Sequence, residues 1–296
     1  MTPGPSDNLS ALMAGTPYRA IARMAKGGMG DVLEVEHELL GRRFVAKLLH
    51  ANLSADPGFL ERVRVEAQST ARLRHPHIVD ITDFCITAAG QPCLVMEKLH
   101  GRTLRREVAE LGPLPVADCL QVVDELLSAL AAAHRLGVVH RDIKPDNLFL
   151  HEAVGGCARR LKVLDFGLAR VMPGAPAVAP LPSSVATATG RVVGSPGYVS
   201  PEALMGRVVD HRADLYAAGL ILFFTLTGRG PFDHLSLEAT LSHAPTPPSQ
   251  LRDAPGVREL DGVLAKALKK VPEERYQSAV EFTSDLASLS RRTAVS

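Results

Sequence analysis

The sequence has no tryptophan, and aromatic residues make up only 4% of its 296 positions. Its interior must therefore be filled mainly by aliphatic side chains. No stretch reaches the ~20 apolar residues that a membrane helix needs. The most apolar run, 215–227, reads instead as a buried core helix. An excess of one charge is also missing: 33 Lys and Arg stand against 32 Asp and Glu, a net charge of +1. Bulk electrostatics therefore give no reason to expect nucleic acid or a membrane surface as a partner. The four cysteines, Cys85, Cys93, Cys119 and Cys157, contain no C-x-x-C pair. This argues against a structural zinc site or a disulfide framework, and for free thiols in a reducing cytoplasm. The first ten residues, MTPGPSDNLS, lack the basic and apolar regions of a secretion signal. The composition is otherwise that of a globular protein, 46% hydrophobic and 22% charged. At about 150 residues per domain, the length allows one large domain or two small ones.

Residues 1–17 hold three prolines and two glycines and read as a flexible leader. Strand-like apolar runs follow at 18–24, 32–36, 43–49, 78–84 and 93–97. A helical stretch over 58–74 interrupts them, with Leu60, Val63, Ala67 and Ala71 at steps of three and four. From Val116 the pattern turns helical. Residues 116–136 place Leu120, Val123, Leu127, Leu130 and Ala131 on one face, and Gly137 stands where a helix stop belongs. Short strand-like runs come at 147–151 and 161–164. Residues 171–190, with four prolines, read as a loop. Helical patterns return near 213–227, 257–270 and 278–289, and no internal repeat is present. The organisation is a small strand-rich lobe followed by a larger helical lobe, with a hinge near 97–101.

Three stretches carry chemistry. Residues 25–32, AKGGMGDV, lie between two strand-like runs. Their glycines let backbone N–H groups approach phosphate oxygens, and a plain hairpin turn explains them equally well. Lys47 lies within an apolar run, where an ammonium needs a partner. Glu66, on the helical stretch, is a candidate, the alternative being a surface lysine and a solvated glutamate. The decisive stretch is 140–147, HRDIKPDN. It gathers a carboxylate (Asp142), a cation (Lys144) and a neutral oxygen donor (Asn147) in one loop. These suit a hydroxyl acceptor, a phosphate clamp and a hard-metal ligand. Asp165-Phe166-Gly167 follows the strand-like run at 161–164 and offers a second metal-ligating carboxylate.

Together these motifs resemble the protein kinases, and most closely the eukaryotic-like serine/threonine kinases of bacteria. The resemblance covers about Tyr18 to Leu289, with the motifs in the family's order. It implies an α+β, bilobal protein-kinase fold: a small antiparallel-sheet N-lobe with one helix over 18–97, and a larger, mainly helical C-lobe over 98–290. The activation segment would be 165–202 and the tail 291–296.

Carried onto this sequence, Gly27 and Gly30 match the second and third glycines of the phosphate-covering loop, which also includes Ala25 and Gly28. Val32 and Val45 would contact one face of adenine and Phe149 the other. Met96 stands at the gatekeeper position. Glu97 and Leu99 would bond adenine through their backbones. Lys47 would hold the α- and β-phosphates and Glu66 would hold Lys47. Asp142 would accept the hydroxyl proton, Lys144 would touch the γ-phosphate, and Asn147 and Asp165 would bind Mg²⁺, with Mn²⁺ as a substitute. Residues 194–202, GSPGYVSPE, resemble the substrate-docking segment. There Glu202 would pair with Arg275, and Asp214 would anchor the catalytic loop. Ala25, Val45 and Thr70 depart from the usual pattern.

The implied activity is transfer of the ATP γ-phosphate to Ser and Thr hydroxyls of proteins, with Lys144 matching the serine/threonine branch. Arg141 beside the catalytic Asp, and Thr187 and Thr189 in the loop, imply an on-switch by autophosphorylation. Protein substrates are the implied partners, and a homodimer through the N-lobe is a further family expectation. Two other readings stay open. One is a pseudokinase acting as a nucleotide-binding scaffold. The other is a small-molecule phosphotransferase, disfavoured by the 194–202 segment.

Overall fold

The computed structural model describes residues 7–27, 30–50, 58–152, 159–166, 196–233 and 237–293. They divide into two compact units. The first runs through Arg74 and includes Val79–His100, and the second comprises His75–Ile78 and the chain from Gly101 onward. The division after His100 falls three residues beyond the expected lobe boundary at 97.

The first unit is built on five strands, β1 (Tyr18–Lys26), β2 (Gly30–His37), β3 (Arg43–Leu49), β4 (Ile81–Ile86) and β5 (Pro92–Glu97). They form an antiparallel sheet in the order β1-β2-β3-β5-β4. Strand geometry sends alternate side chains to opposite faces. Leu33, Val35, Ala46, Leu48, Cys93 and Val95 accordingly share one face and form a buried cluster with Met13, Tyr18 and Ala20. Val32, Val45, Lys47 and Met96, at the intervening positions, share the other face. Helix α2 (Phe59–Ala71) follows β3, and its Phe59 and Val63 pack with Leu49.

Two expectations need correcting here. Residues 7–17 are not a flexible leader: helix α1 (Asp7–Leu12) and the turn after it lie on the sheet. Met13 is 1% exposed, Leu9 and Leu12 pack on the same cluster, and the Ala88 N–H donates to the Ala14 carbonyl at 2.7 Å. Leu9, Leu12 and Met13 form a short helical stripe that covers an otherwise bare apolar face. Gly15, at φ +81°, and Pro17 mark the turn that follows α1. The strand expected at 78–84 begins at Ile81. The residues before it belong to the second unit, where His77 Nδ1 lies 3.1 Å from the Leu161 carbonyl and Ile78 bridges Val163.

In the second unit a small antiparallel sheet is formed by β6 (Gly101–Thr103), β7 (Leu148–Glu152) and β8 (Arg159–Val163). Helices α3 (Leu104–Leu111) and α4 (Val116–Arg135) precede β7. After β8 come α5 (Pro201–Leu204), α6 (Arg212–Thr227), α7 (Leu237–Ser242), α8 (Asp261–Ala267) and α9 (Ala279–Thr293). The apolar run at 215–227 lies within α6, which is buried from Ala213 to Leu226.

The buried face of α4 is wider than the expected stripe. Cys119, Val122, Leu126, Ala129 and Ala133 join Val123, Leu127 and Leu130, while Leu120 and Ala131 sit at its margin. The reason is that α4 is packed on by α6, α9 and β8. Gly137, at φ +71°, ends the helix. Its N–H donates to the His134 carbonyl at 3.0 Å, and the Val138 N–H donates to the Ala133 carbonyl at 3.0 Å. This pairing satisfies the last carbonyls and favours glycine at the left-handed position. The helical pattern at 257–270 is realised as a 3₁₀ turn, Arg258–Leu260, and then α8.

Candidate active site

In the first unit, the turn between β1 and β2 closes tightly. The Gly27 N–H donates to the Gly30 carbonyl at 2.9 Å, and the return bond is 3.4 Å. A Cβ on Gly30 would stand 2.1 Å from the Leu48 carbonyl oxygen, so only glycine lets β2 lie this close to β3. Gly28 lies outside the described residues, and Ala25 pairs with Val32 across the hairpin. Val32 is the cross-strand partner of Lys47, and Val45 that of Met96. The register thus gathers Lys47, Val32, Val45 and the gatekeeper Met96 on one sheet face. Lys47 is 9% exposed. Glu66 lies on α2, but its side chain is outside the described residues. The Glu97 N–H donates to the Asp80 carbonyl at 3.0 Å, and the Glu97 carboxylate accepts the Asp80 N–H at 3.0 Å. Leu99 is half-buried.

In the second unit, residues 140–147 form a hydrogen-bonded loop. Its anchor is Asp214, 1% exposed, in the first turn of α6. Its two carboxylate oxygens accept the backbone N–H groups of His140 and Arg141, both at 2.8 Å. His134 Nε2 lies 2.8 Å from the same carboxylate. Arg141 and Asp165 are the two non-glycine residues at positive φ among the described residues, at +67° and +57°. A left-handed conformation costs an ordinary residue about 1–3 kcal/mol, and such strain persists only where the surroundings impose it. Here Asp214 supplies that constraint at Arg141.

His140 is fully buried and ties the loop to the end of β8. Its Nδ1 accepts the Asp142 N–H at 3.2 Å, so Nε2 carries the proton and donates to the Leu164 carbonyl at 2.8 Å. Its ring meets Phe166 edge-on at 4.5 Å. The Leu164 N–H donates to the Asn147 carbonyl at 2.8 Å, which sets Asp165 beside the loop in the chain path.

The structure brings Asp142, Lys144 and Asn147 together. Lys144 Nζ donates to both Asp142 carboxylate oxygens, at 2.9 and 2.7 Å. Asn147 Nδ2 donates to the Asp142 carbonyl at 2.8 Å and to its carboxylate at 2.9 Å. These two bonds commit the Asn147 amide nitrogen. The Asp142 side chain is 40% exposed, so its carboxylate is fixed yet open to solvent. Asn147 Oδ1 and the Asp165 carboxylate are hard oxygen donors, the chemistry that fits a small divalent cation. Phe149, half-buried on β7, pairs with Thr103.

Glu202 and Arg275 form a buried bidentate pair, with Nη1 to Oε1 at 2.9 Å and Nη2 to Oε2 at 2.6 Å. Burial works to raise the Glu202 carboxyl, and the Arg275 guanidinium more than offsets it, holding the group below the usual carboxylate range. Arg275 also donates to the Lys269 and Lys270 carbonyls at 2.7 and 3.0 Å. Thr187 and Thr189 lie outside the described residues. So does Gly167, with the rest of 167–195.

Two contributors, His134 and Arg105, escape sequence reasoning, and a third, His140, is legible only in part. His134 lies 80 positions before Asp214, with nothing local to mark it. His140 was legible only as part of the loop motif. Arg105, on α3, donates through Nε to the Asp146 carboxylate at 2.9 Å. Its guanidinium also lies 5.5 Å from the Tyr198 ring and 5.4 Å from the Phe224 ring.

The profile of the protein kinase domain matches residues 18–284. The chain belongs to the protein kinase family. This family uses ATP and a divalent metal ion, and its members act on proteins. Serine/threonine-protein kinase Pkn1 of Myxococcus xanthus is 41% identical over 273 residues, covering 91% of this chain and 38% of its own length. A probable serine/threonine-protein kinase of Corynebacterium efficiens is 37% identical over 284 residues, covering 93% of this chain and 41% of its own. The chain thus spans about two fifths of the length of these curated relatives. Among solved structures, the kinase domain of Mycobacterium tuberculosis PknI has a TM-score of 0.69 at 28% identity, covering 95% of this chain and 98% of that domain. Both architecture and family agree with the bilobal α+β kinase fold expected from the sequence. No helix among the described residues is long and apolar enough to cross a membrane.

Proposed function

We propose that this chain is the catalytic domain of a serine/threonine protein kinase, transferring the γ-phosphate of ATP to Ser and Thr hydroxyls of proteins. The observation that carries this reading is the Asp142 carboxylate, held by Lys144 and Asn147 yet 40% exposed. In the reaction the substrate oxygen bonds to the γ-phosphorus as the bond to ADP breaks. The hydroxyl proton passes to Asp142, which also orients the attacking oxygen. Lys144, now paired with the Asp142 carboxylate, is assigned to the γ-phosphate. Lys47 is assigned to the α- and β-phosphates, and Glu66 to Lys47. Val32, Val45, Met96 and Phe149 are assigned to adenine, with backbone bonds from Glu97 and Leu99. Mg²⁺ or Mn²⁺, held by Asn147 and Asp165, supplies charge neutralisation on the phosphates when bound. Every charged group this chemistry needs is present, and the named relatives are kinases, so the pseudokinase reading loses its support.

Autophosphorylation at Thr187 or Thr189 would supply negative charge for Arg141. A cytoplasmic location and an N-lobe homodimer belong to the same proposal, by family likeness. The test is intact mass before and after incubation with Mg²⁺-ATP, beside Asp142→Asn. Gains of whole phosphates in the wild type, absent in the variant and mapped to Thr187 or Thr189, are expected. Nucleotide binding without any transfer, to itself or to a generic protein substrate, would overturn the reading.

A further inference from the structure

Two of the four cysteines occupy facing positions on neighbouring strands. In the register of β4 against β5, Cys85 is the direct partner of Cys93, between the pairs Phe84–Leu94 and Ile86–Pro92. Direct partners in a sheet project to the same face. Both thiols enter the cluster beneath α1, Cys93 fully buried and Cys85 half-buried. The Cys85 thiol donates to the Cys93 carbonyl oxygen over 3.9 Å. Directly opposed residues in an antiparallel pair have Cα atoms about 4.5–5.5 Å apart. A disulfide bridges Cα separations of about 4.4–6.8 Å. The register of the two strands is therefore compatible with a disulfide between them.

The two thiols also interact with each other. A hydrogen bond with Cys93 holds the Cys85 thiol below its usual value, and that bond together with burial pushes Cys93 up. The more exposed sulfur is thus the better nucleophile. Cys119 is a contrast: its thiol donates to the Leu114 carbonyl over 3.5 Å, burial pushes it up to about 11, and no other thiol faces it among the described residues.

We propose that Cys85 and Cys93 form a reversible redox pair, a covalent modification site built into the β4–β5 hairpin. With a peroxide as oxidant, the Cys85 thiolate attacks one peroxide oxygen. The O–O bond breaks, a sulfenic acid forms, and the leaving oxygen is protonated to water. The Cys93 sulfur then attacks the sulfenic sulfur, the S–S bond forms, and a second water leaves carrying the Cys93 proton. The sum is two thiols and one hydrogen peroxide giving one disulfide and two waters. A dithiol reductant restores both thiols by exchange. The strand carrying Cys93 continues directly to Met96 and Glu97, so the crosslink fixes the strand that leads to these residues.

The sequence makes the test simple. Residues 75–98 contain no internal Lys or Arg, so both cysteines leave in one tryptic peptide. The full chain is treated with hydrogen peroxide, blocked with iodoacetamide without reductant, and digested. The expected product is peptide 75–98 lighter by two hydrogens and free of alkyl groups, reverting to two alkylated cysteines after dithiothreitol. Cys85→Ser is expected to leave Cys93 reduced. Cys93→Ser is expected to stop at a dimedone-trapped sulfenic acid on Cys85. Circular dichroism checks that each variant is folded, and the wild-type peptide decides the outcome if one is not. Two alkyl groups on peptide 75–98 after peroxide, or a bridge from Cys85 to Cys157 or to a second copy, would overturn the proposal.

Discussion

The Asp214 carboxylate accepts the Arg141 backbone N–H at 2.8 Å, while Arg141 is held at φ +67°. A side chain at the start of one helix thereby fixes a strained bend 73 positions away, next to Asp142. Asp214→Ala leaves the buried His140 N–H and the part-buried Arg141 N–H without this acceptor. Each such group costs about 1–3 kcal/mol. We expect a matching loss of stability in urea melts and a fall in kcat with little change in KM for ATP. Full activity and an unchanged urea midpoint would refute the tether.

Glu202 and Arg275 are expected to behave as one unit. Their side chains are 6% and 0% exposed, so Arg275→Ala strands a buried carboxylate. Removing one partner of such a pair costs about 3–5 kcal/mol. Replacing both, in Glu202→Leu with Arg275→Met, should recover part of that loss. A double variant no more stable than Arg275→Ala in denaturant would show that the lost energy lies elsewhere, for instance in the Lys269 and Lys270 carbonyl bonds.

The same pair sets an acid limb. Glu202 has a lowered carboxyl value in the folded state, with burial opposing and Arg275 prevailing. The unfolded chain therefore binds the proton more readily. The pair's contribution is fully present above the unfolded value of about 4.3. It is lost as pH falls through the folded value. Melting temperatures of the wild type should drop steeply below about pH 4. Glu202→Gln should be less stable at neutral pH and show a shallower acid limb; parallel curves for the two proteins would contradict this.

Arg105 is expected to act on protein substrate more than on ATP. It joins Asp146, next to Asn147, to Tyr198 in the 194–202 segment. Stacking of this kind is worth about 0.5–2 kcal/mol. Arg105→Ala should raise KM for a peptide by about two- to thirtyfold, leaving KM for ATP near the wild-type value. Arg105→Lys keeps the charge but loses the planar stack and should recover only in part. Equal changes in both KM values would argue for a general structural role.

Gly30 and Gly27 should respond differently to the same methyl group. At Gly30 a Cβ meets the Leu48 carbonyl oxygen at 2.1 Å, whereas at Gly27 the nearest atom is 3.3 Å away. Gly30→Ala should loosen the β1–β2–β3 hairpins, lower the melting temperature and raise KM for ATP. Gly27→Ala should be much milder on all three counts.

The sequence exposed most clearly what is local. Asp142, Lys144 and Asn147 lie within six positions of one another, so their meeting in one loop is legible from spacing. The hydrophobic run at 215–227 likewise announces α6. Asp214 with Arg141, and Glu202 with Arg275, are more than 70 positions apart, and only family likeness suggested those partners. His134 and Arg105 carry no motif at all, because their roles come from which helix ends the fold brings together. The wider face of α4 and the helix within residues 7–12 were missed for a related reason. Periodicity shows that a face is apolar, but not how many neighbours it must serve or where a short apolar stripe will find cover.

The stripe of Leu9, Leu12 and Met13 bears on how the domain can be cut. The family profile begins at Tyr18, yet the apolar sheet face beneath α1 is sealed by residues that precede it. A fragment starting at Tyr18 would open Leu33, Val35, Ala46, Leu48 and Val95 to water, together with both thiols of the β4–β5 hairpin. A fragment that retains α1 is the shorter path to a protein that stays in solution.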